Sequence, residues 1–387
     1  MNFILLSDYY HPIVKSGSIV IGDLAKSLAE LGHSITIVTF CSKQKKSFSV
    51  NDEEGIRVIR IRTRIRDYGM IGRLITEIRY SRKIISTLKK LGDHHFHGII
   101  CLSPSIFYGK CIKWMKNEHD MKAYLVCRDI FPKWALDSGL LKDGALYRFF
   151  KYVERRLYES VDIVGIESKS DSEYFLQELP RKKIEVLNNW GSPANNVQKN
   201  RTPILNKNKV NILYGGNMAE AQNLLGLLTC IDLSVLGDKA ELTLIGNGHQ
   251  LTEIENLIQK RKMYQIKILP EVEQSEYLAI LGEADIGLVS LNKKLNSNNY
   301  PLKMMGYLQN GKPILASVND GNEIIDLIDE YQVGFTSIAE DCDKLNLNLK
   351  LMIKDKELRE RLGLNGIKLF EEKFTVRAAT NQILGHF

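Results

Sequence analysis

No apolar run in this 387-residue chain reaches the roughly 18 residues that a bilayer-spanning helix needs. The opening MNFILLSDYY carries no basic flank, so it reads as a first strand and not as a secretion signal. Cysteine is scarce: six residues, scattered, with no CxxC pair. That pattern argues against a zinc or disulfide framework and predicts buried free thiols in a reducing cytoplasm. Signature motifs are missing too. GxGxxG, GxxxxGK[ST], GxSxG and HExxH do not occur, which removes the usual markers of dinucleotide sites, P-loops, serine hydrolases and zinc proteases. His94, His95 and His97 lie in a polar turn ahead of a strand and are read as a turn, not as metal ligands. Asp341-Cys342-Asp343 opens a helix and is read as its cap.

Charge is present, and it is uneven. Residues 1–200 hold 32 Lys and Arg against 22 Asp and Glu, a balance of +10, while the remainder balances at −3. A basic front half suggests an anionic partner. Arg60, Arg62, Arg64 and Arg66 alternate with Ile59, Ile61, Thr63 and Ile65, the period of a strand with one basic face. Two readings stay open: a solvated strand face, or a platform for phosphates or an anionic membrane surface. No stacking aromatics interleave with these charges, so nucleic acid is not expected.

Strands and helices alternate along the chain, and the strands are short, nearly continuous apolar runs. That is the mark of a parallel sheet covered on both faces. Strands are expected at 2–7, 33–40, 55–66, 98–102, 123–128, 163–166 and 184–187. A polar stretch at 193–209 reads as a linker. A second series follows, at 210–214, 242–245, 266–268, 286–289 and 314–316, and residues 354–387 read as helical throughout. The expected fold class is α/β: a Rossmann-like parallel-sheet domain over 1–192 and another over 210–372, facing across a ligand cleft.

Loops at strand carboxyl ends are where such sheets bind ligands. The first candidate is the turn with Gly17 and Ser18, at the start of a helix, where backbone N–H groups could meet an oxyanion. The second holds Gly216, Asn217, Gln222 and Asn223. The third holds Gly246, Asn247 and Gly248. The fourth is the stretch NYPLKMMGYLQNGKPILASVNDGNEII, with Asn299, Tyr300, Lys303 and Glu323. Arg128 and Asp129 stand side by side at another strand end, as a structural pair or as a phosphate contact and a hydroxyl contact.

The segments CRDIFPKWALDSGLL, ILYGGNMAEAQNL, LTLIGNGHQ, YPLKMMGYLQNGKPILASV and GNEIIDLI resemble retaining glycosyltransferases of family 4, of GT-B fold, over nearly the whole chain. Within that family they resemble WbuB-like N-acetyl-L-fucosamine transferases of bacterial O-antigen and capsule synthesis. The resemblance implies a UDP-sugar donor, no metal or other cofactor, and a polyprenyl-diphosphate-linked saccharide as acceptor. It implies a cytoplasmic enzyme resting on the inner face of the membrane, with a C-terminal helix, about 373–387, crossing back to the first domain. Asp129, Lys303 and Glu323 are the implied catalytic residues. The donor would lie among the glycine loops, Pro270, Val272, Asn299, Tyr300 and Lys303. Arg128 and the Arg60–Arg66 series would meet acceptor or membrane. Two positions depart from the family. Aligned on Lys303 and Gly311-Lys312-Pro313, Asn298 and Gly306 stand where a Glu-x7-Glu pair is common, so the weight shifts to Lys303. Two other readings stay open: a GT-B UDP-sugar 2-epimerase, and a degenerate sugar-nucleotide-binding subunit.

Overall fold

The computed structural model describes residues 1–13, 16–42, 44–63, 76–92, 95–128, 130–137, 140–169, 171–191, 202–294 and 300–387. Lys15, His94, Asp129, Asn298, Asn299, Arg64 and Arg66 lie outside them. The chain divides into two units, Met1–Asn188 with Ala379–Phe387, and Asn189–Ala378.

The first unit holds β1 (Asn2–Leu6), α1 (Ser16–Glu30), β2 (Ser34–Cys41), β3 (Phe48–Glu53), β4 (Ile56–Arg62), α2 (Tyr80–Leu91), β5 (Gly98–Leu102), α3 (Gly109–Glu118), β6 (Lys122–Cys127), α4 (Lys133–Asp137), α5 (Ala145–Ser160), β7 (Ile163–Ile166), α6 (Asp171–Glu178) and β8 (Lys183–Val186). Its sheet runs β3-β4-β2-β1-β5-β6-β7-β8. Every pair is parallel except β3 with β4. The apolar runs explain this: β1, β5 and β7 are buried almost end to end, as strands covered on both faces must be.

The second unit holds β9 (Val210–Gly215), α7 (Leu224–Cys230), α8 (Leu233–Leu236), β10 (Ala240–Ile245), α9 (Leu251–Lys260), β11 (Ile266–Leu269), α10 (Gln274–Glu283), β12 (Ile286–Ser290), α11 (Leu302–Gln309), β13 (Ile314–Val318), α12 (Glu323–Tyr331), β14 (Gly334–Ile338), α13 (Cys342–Lys354) and α14 (Lys356–Lys373). The sheet is wholly parallel, ordered β11-β10-β9-β12-β13-β14. Strand order therefore reverses between β9 and β12, the point where open α/β sheets leave a crevice at their carboxyl ends. Tyr307 sits in that gap. Its hydroxyl donates to the carbonyls of Leu213 and Leu288, one on each strand. A Cβ on Gly287 would lie 2.3 Å from its ring, so only glycine lets the tyrosine in.

Two sequence expectations are corrected here. The stretch 354–387 is not one helix. It breaks at Phe374–Thr375, and α15 (Val376–Leu384) follows. Phe374 is fully buried, which turns the chain at that point. The cysteines are not all free either: Cys230, ending α7, is bonded to Cys342, opening α13. The pair is 112 residues apart in sequence, so spacing rules had nothing to register. Cys41, Cys101, Cys111 and Cys127 are free.

Candidate functional site

The β9–β12 crevice of the second unit opens into a groove of about 1110 Å3. Gly215, Gly216 and Asn217 line it from the end of β9, and Ile245, Gly246 and Asn247 from the end of β10. Glu271, Val272, Glu273 and the start of α10 form another wall, and Lys303 of α11 reaches in.

Close backbone approach dictates the glycines. Gly216 has φ +134° and Gly246 φ +143°, a region that suits glycine. A Cβ on Gly246 would stand 2.0 Å from the Gly216 carbonyl oxygen, and one on Gly248 2.3 Å from that of Met218. The Gly216 amide donates to the Ile245 carbonyl and the Met218 amide to the Asn247 carbonyl, so the two loops lock together. Tyr214 adds a tie through its hydroxyl, which donates to the Asn217 carbonyl at 2.6 Å.

Lys303 lies over this tie. Its Nζ is 3.7 Å from the centroid of the Tyr214 ring. A Cβ on Gly216 would come within 3.3 Å of the same Nζ. Burial pulls the amine down to about 7. The ring face favours the ammonium, but desolvation opposes it, and an anionic ligand would tip the balance to the charged form. The site is therefore an amine poised to be charged by what it binds, beside the exposed Asn217 and Asn247 that line the same groove.

Gly216, Asn217, Gly246, Asn247, Val272 and Lys303 are thus brought to one groove. Gly248 packs just behind it. Gln222 and Asn223 are not on its wall: they end a 3-10 turn whose Gln222 carbonyl accepts from Ser290 at 2.5 Å. Pro270 is exposed beyond the groove. Tyr300 packs edge-on against Phe374 at 6.0 Å. Burial, then the Glu323 carboxylate, raises its phenol pKa. Glu323 itself opens α12 behind the Asn322 cap. Gly306 fits against Leu281, which a Cβ there would meet at 3.4 Å. Glu271, beside Val272, falls where the sequence places the donor's base, while Tyr214, Tyr277, Glu273 and Glu276 were missed in the sequence. Tyr277 fills the space that a Cβ on Gly215 would occupy, and only the fold brings those two together.

In the first unit, the Ser18 hydroxyl is fully buried and donates to the Ile13 carbonyl. Among the described residues, a Cβ on Gly17 would touch Leu102, at 3.6 Å. Arg128 pairs with Glu167 at 2.8 Å, both largely buried. One expectation about cations is corrected. Arg60 is not part of an open basic strand face. It forms an ion pair with Glu53 and donates to the His11 carbonyl at 2.7 Å. β3, which carries Glu53, pairs antiparallel with β4 and covers it. Arg62 donates to the Lys45 carbonyl at 2.6 Å. Asp341 caps α13 by accepting from the Lys344 amide at 3.0 Å.

Residues 196–369 match the family profile of glycosyl transferases group 1. A probable glycosyltransferase, WbjE of Pseudomonas aeruginosa, is 25% identical over 248 residues, 62% of this chain and 59% of that protein's length. The whole chain superposes on solved structures of low identity. Sucrose-phosphate synthase of Thermosynechococcus elongatus matches at TM-score 0.67 with 16% identity, covering 100% of this chain and 98% of the other. HepE of Anabaena, solved with UDP, matches at 0.66 with 13% identity, covering 100% and 99%. WaaG, a glycosyltransferase of lipopolysaccharide biosynthesis, matches at 0.61 with 12% identity, covering 98% of each. The two Rossmann-like parallel-sheet units are those of the GT-B fold, and the second unit carries the match to the group 1 glycosyl transferase model.

Proposed function

We propose that the protein transfers a sugar, with retention, from a UDP-sugar to a polyprenyl-diphosphate-linked saccharide, as a family 4 enzyme of O-antigen or capsule synthesis. The observation that carries this is Lys303: a buried amine over Tyr214, in a groove that the Gly216 and Gly246 loops line. A nucleotide diphosphate is the ligand class that rewards this arrangement, since it brings charge to an amine held near neutrality. The donor sugar is proposed to be an N-acetylated deoxyhexosamine such as L-FucNAc. The chain's likeness to WbjE supports glycosyl transfer, and the basic balance of residues 1–200 supports an anionic acceptor.

In the proposed reaction the bond from the sugar's anomeric carbon to the diphosphate oxygen breaks. The acceptor oxygen attacks from the same face. Its proton passes to the departing diphosphate, so no protein base is required. Lys303 and the backbone amides of Asn217 and Asn247, next to Gly216 and Gly246, stabilise the charge that develops on the leaving group. Glu323 and Asp129 are proposed to contact sugar or acceptor hydroxyls, and Gln222 and Asn223 to support the donor loop. No metal is needed for this scheme. The test is turnover of a panel of UDP-sugars with a lipid-diphosphate acceptor, read by mass spectrometry. A product one sugar heavier supports transfer. Epimerised donor without acceptor would point instead to the epimerase reading, and binding without consumption to a degenerate subunit.

A further inference from the structure

Cys230 and Cys342 are bonded in the second unit, and both are partly open to solvent. Three of the other cysteines differ. Cys101, Cys111 and Cys127 are buried, and burial pushes their thiols up, that of Cys111 to about 12, so they are inert at neutral pH. In a reducing cytoplasm, where the resemblance places this chain, a bond that dissolved thiols can reach is seldom mere scaffolding; such bonds usually form and break as a signal.

The bond sits at the far end of the helix that grows out of the Gly216 loop. That loop runs through Met218 into the 3-10 turn Glu220–Gln222, and α7 starts directly after Asn223. α7 is weak by itself. It has seven residues, LLGLLTC, with Gly226 inside it and no side-chain cap at Asn223. Its order therefore depends on what holds its two ends. At the near end, the Ser290 hydroxyl donates to the Gln222 carbonyl, and Asn292 donates to the carbonyls of Glu220 and Ala221. At the far end, Arg261 donates to the Leu228 and Thr229 carbonyls, and the disulfide fixes Cys230. The loop after β12 reaches the other cysteine too, since Lys293 pairs with Glu340, two residues before Cys342. The circuit closes on itself: end of β12, 3-10 turn, α7, disulfide, Glu340, and back. Its covalent link is the one that a thiol can open. Asn223 at φ +47° and Glu340 at φ +76° take left-handed backbone, which persists only where neighbours hold it.

We infer that Cys230 and Cys342 form a reversible thiol switch that sets how firmly the Gly216 loop is held, and so how tightly the groove binds a nucleotide diphosphate. The inference rests on the proposed donor reading of that groove. Closing the bond takes an oxidant such as glutathione disulfide. One cysteine thiolate attacks it and releases the first glutathione; the second cysteine then displaces the other. Two protein thiols give up two electrons and two protons, and one glutathione disulfide becomes two glutathione thiols. Excess glutathione runs the same steps in reverse. Asn346 favours reclosure. It donates to the carbonyls of both cysteines at 2.8 Å, so the two helix ends stay matched while the bond is open.

The test holds the full chain in glutathione buffers of graded thiol-to-disulfide ratio. Alkylation with peptide mass spectrometry reads the bond, hydrogen exchange reads the amides of 217–230, and calorimetry reads UDP. The expected result is a bond that titrates alike from both directions. In the reduced form the amides of 217–230 should exchange at least about fivefold faster while those of β13 hold, and UDP should bind about fivefold more weakly or worse. Cys230→Ser and Cys342→Ser should match the reduced wild type at every ratio, and Cys41→Ser should respond as the wild type does. A bond that never forms, exchange of 217–230 that ignores it, or measurable but equal UDP affinity in both forms overturns the inference. So does β13 exchanging faster to the same degree, because the bond would then be a general stabiliser. If neither form binds UDP, the donor reading fails, and exchange of 217–230 still decides whether the bond controls the loop.

Discussion

Lys303 carries opposite demands in one side chain. Burial holds its amine at about 7, against an ordinary 10.5. The folded protein therefore binds fewer protons than the unfolded chain between those values, and stability rises with pH across that window. The cost of the buried charge is present in full below about pH 7. Lys303→Met should accordingly raise the unfolding free energy most at pH 6 and little at pH 10, as urea titrations at both pH values will report. Binding runs the other way. A UDP-sugar that needs the ammonium should bind fully below about pH 7 and weaken by up to about tenfold per unit above it. Calorimetry across that range should show the slope in the wild type and a flat line in Lys303→Met. Lys303→Ala should lower turnover by about a hundredfold or more, the scale of losing one preorganised charge donor, while its melting temperature holds or rises. At this scale the sequence was partly legible. Lysine at a strand-to-helix switch is visible in a string of letters; the ring of Tyr214 beneath it, 89 positions away, is not.

The elements decide whether that lysine has anything to work with. β9 and β10 end in loops that touch through Gly216 and Gly246, and the contact leaves no room for a methyl group. Gly246→Ala should cost about 1–3 kcal/mol of stability, the usual toll of a side chain in forbidden backbone space. It should also weaken UDP binding, because the Gly216 loop must move; urea unfolding and calorimetry read the two effects. Elements also explain the missed disulfide and the missed cover on the arginine strand. Cys230 and Cys342 meet because α7 and α13 flank the same side of the sheet, where Asn346 donates to the carbonyls of both cysteines. β3 is polar and only partly buried, so its period gave no strand signal, yet its Glu53 is what takes up Arg60. Strands buried on both faces were legible for the converse reason: apolar runs have few other homes. The disulfide closes a long loop. Cys342→Ser should cost up to about 4 kcal/mol of stability in the chain-entropy picture, and a reductant should remove that difference between variant and wild type.

For the whole molecule, the alternation of strands and helices made two parallel-sheet units legible, and the GT-B fold bears that out. The return of the chain end to the first unit rests on contacts that composition cannot show. The Thr380 hydroxyl donates to Ser27 at 2.9 Å, Gln382 to the Val186 carbonyl at 2.9 Å, and His386 meets Glu185 at 2.8 Å. The Phe387 ring lies edge-on to Phe3 at 5.0 Å and fills the space above Gly98. Ending the chain at Ala378 should therefore lower the melting temperature of the first unit while leaving UDP binding by the second intact. Calorimetry of the truncated chain checks both. The central claim concerns the groove at the β9–β12 crevice, and one measurement reaches it directly: donor consumption by the wild type and by Lys303→Ala, with and without a lipid-diphosphate acceptor, resolved by mass spectrometry. The account predicts an acceptor heavier by one sugar, formed by the wild type only when acceptor is present and nearly lost in Lys303→Ala. Donor consumed equally without acceptor, or transfer undiminished in Lys303→Ala, would contradict it.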